Sequence, residues 1–209
     1  MQIQRTANAG VLLRLDGVSI LLDGLCDRVE GYLPTPAAMA SQLAENPPDL
    51  LAFTHCHEDH CSETLLLPYR KQNLRPILGP ESLYVGAVKV GDVTVTPVES
   101  RHLGKTEPGL QHVSFIIEGS RCVWFTGDAA PLQWKNRTDL PRPDVLIGPY
   151  AYGNTQSAWE LSCSLAEKIV LLHLPERERD PYGLWESVEN TTAGSQNLLI
   201  PQMGEWITI

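Results

Sequence analysis

Short apolar runs separated by turn residues recur along the chain, and they predict mainly β-strands. Val11–Leu15 and Val18–Leu22 flank Asp16 and Gly17, which is a strong hairpin signal. The same arrangement predicts two more hairpins, one joining Val88–Val90 to 93–98 and one joining 112–118 to Cys122–Phe125. Isolated apolar runs predict further strands at 50–53, 76–80, 145–147, 169–172 and 206–209.

Four helices are expected between these strands. Thr35 as N-cap, with Pro36 at the first helical position, begins a helix that runs to about Glu45. Ser62 can cap a second helix over 63–72, with the three leucines at 65–67 facing inward. A third helix is predicted over 156–168, capped by Asn154 or Thr155, and a short fourth over 183–189. Strands that dominate each half, with helices between some of them, predict an α/β fold of two packed sheets in one domain, 1–209.

Composition narrows the class of protein and of partner. Of the 209 residues, 43% are hydrophobic and 20% are charged, as in ordinary globular proteins. The net charge of −9 disfavours a nucleic acid partner, because a negative surface repels a polyanion. No apolar run reaches the length of a membrane span, and no signal-like segment follows Met1. We therefore expect a cytoplasmic protein with no membrane partner, and we leave homo-oligomerisation open.

The most informative stretch is 54–60, which holds His55, His57, Asp59 and His60. It follows the apolar run 50–53, so it lies where a buried strand ends. On extended backbone His55 and His57 point to the same side, whereas Asp59 and His60 follow after the chain has turned. Imidazole and carboxylate are common ligands of zinc and similar ions. Two groups of ligands that face neighbouring positions favour a two-metal site.

Three later residues also follow strands and can bind metal. His102 follows 93–98, Asp128 follows Cys122–Phe125, and His173 follows 169–172. Functional sites are expected at one rim of a rigid scaffold, so these strand ends are mutually consistent.

The stretch 54–60 resembles the HxHxDH signature of the metallo-β-lactamase-fold hydrolases, and the later His, Gly-Asp and His follow in the order of that family. The resemblance covers nearly the whole chain and implies an αββα sandwich, in which two mixed sheets carry helices on their outer faces. It implies that the first metal is bound by His55, His57 and His102. It implies that the second metal is bound by Asp59, His60 and His173, with Asp128 bridging. Asp59 and Asp128 are also the expected catalytic residues, Asp23 and His112 are expected to support the ligands from behind, and Cys56 and Cys61 stand at positions that are not ligands.

The resemblance implies a dinuclear metal-dependent hydrolase. Two divalent ions, zinc by preference and manganese or iron as alternatives, would share a water and lower its pKa, so that hydroxide attacks the substrate. A small anionic ester, lactone or phosphodiester is the expected substrate. The compact length and the approach at 98–102 are similar to the ascorbate-6-phosphate lactonase-like branch. Two alternatives stay open, a metal-binding scaffold or sensor without turnover and a nucleic-acid phosphodiesterase of the same fold.

Loops that follow the strand ends should form the rim of the site. They carry cations and tyrosines that suit an anionic substrate, since arginine favours bidentate contacts with carboxylate or phosphate. The candidates are Arg28, Lys105, Tyr150 and Arg177, with Tyr152 and Arg179 beside them.

Overall fold

Two β-sheets pack face to face, and helices cover their outer faces. The computed structural model describes residues 1–72, 75–104 and 109–209. The first sheet has the order β13-β1-β2-β3-β4-β5. Its strands are β1 (Gln2–Arg5), β2 (Val11–Leu15), β3 (Val18–Leu22), β4 (Leu50–Ala52), β5 (Ile77–Leu78) and β13 (Trp206–Thr208).

The second sheet has the order β12-β11-β10-β9-β8-β7-β6. Its strands are β6 (Val88–Val90), β7 (Val93–Glu99), β8 (Val113–Glu118), β9 (Cys122–Phe125), β10 (Val145–Pro149), β11 (Lys168–Leu172) and β12 (Leu198–Leu199). Both sheets are mixed: β3, β4 and β5 are parallel in the first, and β9 to β12 are parallel in the second, while the remaining neighbours are antiparallel.

The hairpin of β2 and β3 shows how the sequence sets this arrangement. Asp16 and Gly17 have positive φ angles of 51° and 79°, as the tight turns that match strand twist require. The resulting register places Leu13 opposite Ile20, and both side chains lie in the core between the sheets. Because strand side chains alternate, the neighbouring Leu21 packs outward beneath the helices. The antiparallel pairing of β6 with β7 and of β8 with β9 confirms the two predicted hairpins of the second sheet.

Four α-helices lie over the outer faces in the described ranges. They are α1 (Ala37–Glu45), α2 (Glu63–Gln72), α3 (Gln156–Leu165) and α4 (Leu184–Thr191). Leu43 of α1 and Leu66 of α2 pack on the first sheet, and Trp159 of α3 and Val188 of α4 pack on the second. The predicted αββα sandwich is therefore confirmed. Among the described residues, no helix is long and apolar enough to cross a membrane.

Three local predictions were wrong. Thr35 does not cap α1: its hydroxyl accepts the Cys26 N–H and donates to the Gly24 carbonyl, and Pro36 is the N-cap residue. The leucines at 65–67 do not all face inward, because three consecutive helical residues span about 200°, and the exposed fraction of Leu67 is 45%. The third helix ends at Leu165 rather than 168, since Ala166 is already extended and β11 follows.

Candidate metal centre

The candidate metal-binding side chains leave strand ends along one rim of the two sheets. In the first sheet β3 leads to Asp23 and β4 to the segment 54–60; in the second, β7, β9 and β11 lead to His102, Asp128 and His173. Asp23 and His173 have positive φ angles of 45° and 59°, which is uncommon for residues other than glycine. Backbone strain of this kind concentrates at functional sites.

His55, His57 and His102 form one cluster, here called the histidine group. Their ligand atoms all lie within 4.8 Å of one another, and His55 Nε2 is 3.0 Å from His57 Nδ1. The His102 ring centroid is 4.9 Å from the centroids of both other rings. Three imidazole nitrogens at these separations can bind one divalent ion.

Asp59, His60 and His173 form a second cluster, here called the mixed group. Their ligand atoms also lie within 4.8 Å of one another. His173 Nε2 is 3.0 Å from Asp59 Oδ2. Burial raises the pKa of Asp59, but the adjacent His173 and the nearby His60 outweigh it and lower the pKa overall. The mixed group therefore offers one ionised carboxylate and two imidazoles.

Asp128 lies between the two groups. Its Oδ1 is 3.4 Å from His60 Nε2, and its Oδ2 is 3.6 Å from His102 Nε2 and 3.4 Å from His173 Nε2. Burial raises the pKa of Asp128, but His173 and His60 hold it well below its usual range. One ionised carboxylate thus faces members of both groups, which is the position that a bridging ligand needs.

Asp23 and Thr54 orient two of the imidazoles from behind. Asp23 is fully buried and accepts the Thr54 N–H at 2.7 Å and the Thr54 hydroxyl at 2.6 Å. It also binds His60 Nδ1 at 2.8 Å, so that nitrogen carries a proton and Nε2 faces Asp128. Because the Thr54 hydroxyl gives its hydrogen to Asp23, it accepts from His55 Nδ1 at 3.0 Å. His55 is thereby fixed with Nε2 towards His57.

His112 uses both ring nitrogens within the protein. Its Nε2 accepts the backbone N–H of Asp128 at 3.1 Å, so its proton is on Nδ1, which donates to Ser100 Oγ at 2.7 Å. Burial lowers the pKa of His112 to about 3, which keeps the ring neutral. His112 therefore holds the peptide of Asp128 and has no lone pair left for an ion, which are the contacts expected of a residue that supports the ligands.

The residues present fit a pair of divalent ions. Four buried atoms at the centre have no hydrogen-bond partner among the described residues: His60 Nε2, His102 Nε2, His173 Nε2 and Asp128 Oδ1. Buried polar atoms without partners are costly, and all four belong to the residue types that bind zinc, manganese and iron. A third cluster, of Asp23, His55 and His60, also lies within 4.8 Å. Its Asp23 oxygens are already occupied by Thr54 and His60, which argues against a third ion.

The arginines proposed for substrate binding are held by acidic partners. Arg177 bonds to Glu189 at 2.7 Å and stacks on Trp185, with its guanidinium 3.9 Å from the ring centroid. Arg179 pairs with Glu176 at 3.5 Å. Arg28 makes a longer pair with Glu176, at 3.8 Å. Lys105 lies outside the described residues. Arg28 is therefore the arginine that these contacts leave most available.

Of three tyrosines near the centre, one is bonded in the interior and two have rings beside His173. Tyr152 is fully buried, and its hydroxyl accepts the Trp134 indole N–H at 2.5 Å. The Tyr150 ring lies 6.3 Å from the His173 ring. Tyr32, which the sequence analysis did not select, lies closer, with its ring edge-on to His173 at 4.7 Å. Burial, followed by Tyr150 and Asp128, raises the pKa of Tyr32 to about 12. The loop position of Tyr32 far from the motif gave no local signal for this contact.

A cavity of about 760 Å³ adjoins Tyr32. Its lining combines the loop before α1 with the segment after β11, and includes Tyr32, Arg177, Arg179 and Tyr182. A second cavity, of about 450 Å³, is lined in part by Arg101, His102 and His112. The centre therefore has space beside it on the Tyr32 side and on the His102 side.

Solved structures share this fold over the whole chain. A possible metal-dependent hydrolase from Veillonella parvula aligns with a TM-score of 0.72 and 15% identity, covering 100% of this chain and 99% of the other. Igni18, a metallo hydrolase from Ignicoccus hospitalis, aligns with a TM-score of 0.66 and 20% identity, covering 99% and 97%. An isothiocyanate hydrolase from Delia radicum gut bacteria aligns with a TM-score of 0.64 and 16% identity, covering 100% and 99%. Identities this low establish the fold alone.

Sequence comparison gives the family. No curated protein sequence matches the chain significantly. The Beta-lactamase superfamily domain, however, matches residues 2–171, which span the candidate metal centre up to β11. Fold, order of the strand-end residues and family match agree, and this chain belongs to the beta-lactamase superfamily.

Proposed function

We propose that this protein is a hydrolase that binds two divalent ions, one in the histidine group and one in the mixed group. The observation that carries the proposal is the position of Asp128, whose two oxygens face His60, His102 and His173 at 3.4–3.6 Å. A single tetrahedral ion needs only four ligands, and this centre offers seven. Zinc is the preferred metal, with manganese and iron as alternatives, because imidazole and carboxylate accept all three.

The chain's own groups would hold and orient the reactants. Ions bound there would make a shared water acidic and polarise the carbonyl or phosphoryl oxygen of the substrate. Asp128 would keep the two groups at a constant separation, because its peptide is fixed by His112. Asp59, ionised and 3.0 Å from His173, would orient the attacking water. Asp23 and Thr54 would keep the imidazoles of His60 and His55 from rotating.

For the substrate we propose a small ester, lactone or phosphodiester, as in the ascorbate-6-phosphate lactonase-like branch. Arg28 is the main candidate to bind a negatively charged group of the substrate, because Arg177 and Arg179 have closer acidic partners. Arg28 and Arg179 share the carboxylate of Glu176, so an anion that binds Arg28 would compete with one carboxylate only.

The first test measures metal and turnover on the same preparation. After reconstitution we expect two metal ions per chain by elemental analysis. We also expect hydrolysis of bis-p-nitrophenyl phosphate or of a member of a small lactone panel. A firm value of one ion per chain would refute the two-metal proposal. Full metal content without turnover on either class of compound would favour a binding scaffold.

The second test concerns substrate charge. We expect Arg28→Ala to raise KM for a phosphorylated lactone or ester more than for the same compound without the phosphate. Arg70→Ala is the matched control, because its guanidinium is similarly exposed, bonds to Glu63 at 2.7 Å on α2, and lines neither cavity beside the centre. Equal effects of Arg28→Ala on both compounds would contradict the anionic part of the proposal.

A further inference from the structure

Tyr32 and Tyr150 come from distant parts of the chain and meet at one imidazole. Tyr32 lies in the loop between β3 and α1, where a short bridge joins it to Val29. Tyr150 directly follows β10. Both rings contact His173, at centroid distances of 4.7 Å and 6.3 Å. Two elements from different sheets thus deliver phenol groups to the same side of the centre, the side of the mixed group.

The two hydroxyl groups have no role in holding the fold. Within the described ranges neither phenol oxygen has a hydrogen-bond partner among the protein's polar groups. Both side chains are half-buried, and Tyr32 lines the 760 Å³ cavity. Tyr152 shows the contrast, because its hydroxyl is paired with Trp134 in the interior. A phenol near neutral pH keeps its proton and can donate it in a hydrogen bond.

We propose that Tyr32 and Tyr150 are paired hydrogen-bond donors to the substrate oxygen on which negative charge develops during hydrolysis. This inference rests on the proposed hydrolase function and adds the residues that bind the reacting group. Donors that are already in place when charge appears stabilise the transition state more than the ground state. Because Tyr32 also lines the 760 Å³ cavity, a substrate bound in this way would extend from His173 into that cavity.

The proposal also specifies the chemical class of the substrate. The attacked group must carry an oxygen that accepts two hydrogen bonds, as a carbonyl or phosphoryl oxygen does. Such an oxygen is neutral in a lactone or carboxylic ester before attack and gains charge as the tetrahedral species forms. The reacting end of the substrate therefore needs no positive partner from the chain, which agrees with the acidic partners of Arg177 and Arg179.

The test replaces each phenol by phenylalanine, which keeps the ring and removes the hydroxyl. Tyr69→Phe is the matched control. The Tyr69 hydroxyl also has no partner among the described residues, but its ring belongs to α2 and packs on the outer face of the first sheet. We expect Tyr32→Phe and Tyr150→Phe each to lower kcat by about 10- to 100-fold, with KM little changed. Metal content and the unfolding midpoint should match those of Tyr69→Phe.

Binding of methylphosphonate to the metal-loaded protein supplies a readout that does not need turnover. Its tetrahedral oxygens resemble the charged species, so we expect weaker binding in both tyrosine variants and unchanged binding in Tyr69→Phe. If the wild type turns over substrate and the tyrosine variants match it in kcat and in phosphonate affinity, this inference is overturned while the hydrolase function stands. If the wild type has no turnover but binds phosphonate in a tyrosine-dependent way, the function fails and the donor pair stands. Absence of both overturns both.

Discussion

His102 and His112 lie equally close to His55, with ring centroids 4.9 Å away in each case. Replacing each by alanine should nevertheless have a different consequence. His102 directs Nε2 at Asp128 and has no hydrogen-bond partner there within the described chain. His112 directs Nε2 at the Asp128 N–H and Nδ1 at Ser100. We therefore expect His102→Ala to remove metal and His112→Ala to remove stability.

The expected loss for His112→Ala follows from what the ring leaves behind. The buried Asp128 N–H loses its acceptor, which costs about 1–3 kcal/mol, and the bond to Ser100 is lost, at about 1 kcal/mol. Ser100 keeps Ser114 as a partner at 2.9 Å, so it adds no second unsatisfied group. The free energy of unfolding should therefore fall by about 2–4 kcal/mol, and Tm by about 10 °C for a chain of this size.

Unfolding is best followed by chemical denaturation of the metal-free proteins, because bound metal stabilises the fold by mass action and would mix the two effects. Elemental analysis of the reconstituted variants supplies the second measurement. We expect His112→Ala to retain two ions per chain and His102→Ala to lose one. If His112→Ala loses a whole ion while its metal-free stability equals that of wild type, then the assignment of the third imidazole in the histidine group is wrong.

Three further predictions concern the same centre. The pKa of His112 is about 3 in the fold and ordinarily 6.5. Below pH 6.5 the unfolded chain therefore binds a proton that the folded chain does not, and the free energy of unfolding falls as the pH falls from 6.5 towards 3. The stability gap between metal-free wild type and His112→Ala should therefore shrink by about 2 kcal/mol between pH 7 and pH 5; a constant gap would contradict the shift. Asp128→Asn should lower the content of both ions together, since an amide is a weak bridge, and loss of exactly one ion would contradict bridging. Gly127→Ala should cost about 2–4 kcal/mol in denaturation, because φ is 50° and the new Cβ would meet Thr54 Oγ1 at 2.5 Å. Gly17→Ala, with φ of 79° and open space, is its control and should lose about 1–2 kcal/mol.

Much of the fold can be read from the chain because its signals are local. Apolar runs and Gly-containing turns mark β2, β3 and the hairpins of the second sheet, and period-two alternation decides which side chains reach the core. β1 shows the limit of this reasoning. Only Ile3 of that strand joins the core between the sheets, while Arg5 is buried through bonds to backbone carbonyls, including that of Pro201. No local pattern announces a strand whose place depends on β2 and β13.

The same division applies to the centre. By itself the sequence determined that metal-binding residue types follow several strand ends, since composition, spacing and chain order are local properties. Only the tertiary structure decided what each nitrogen and oxygen faces. His102 and His112 are chemically identical, and they differ because one faces Asp128 Oδ2 and the other the Asp128 N–H. Tyr32 joins His173 across most of the chain length, and Arg177 turns to Glu189 and Trp185. Hydrogen bonds and ring contacts depend on distances of a few ångströms between segments far apart in sequence, and those distances exist only once the two sheets have packed.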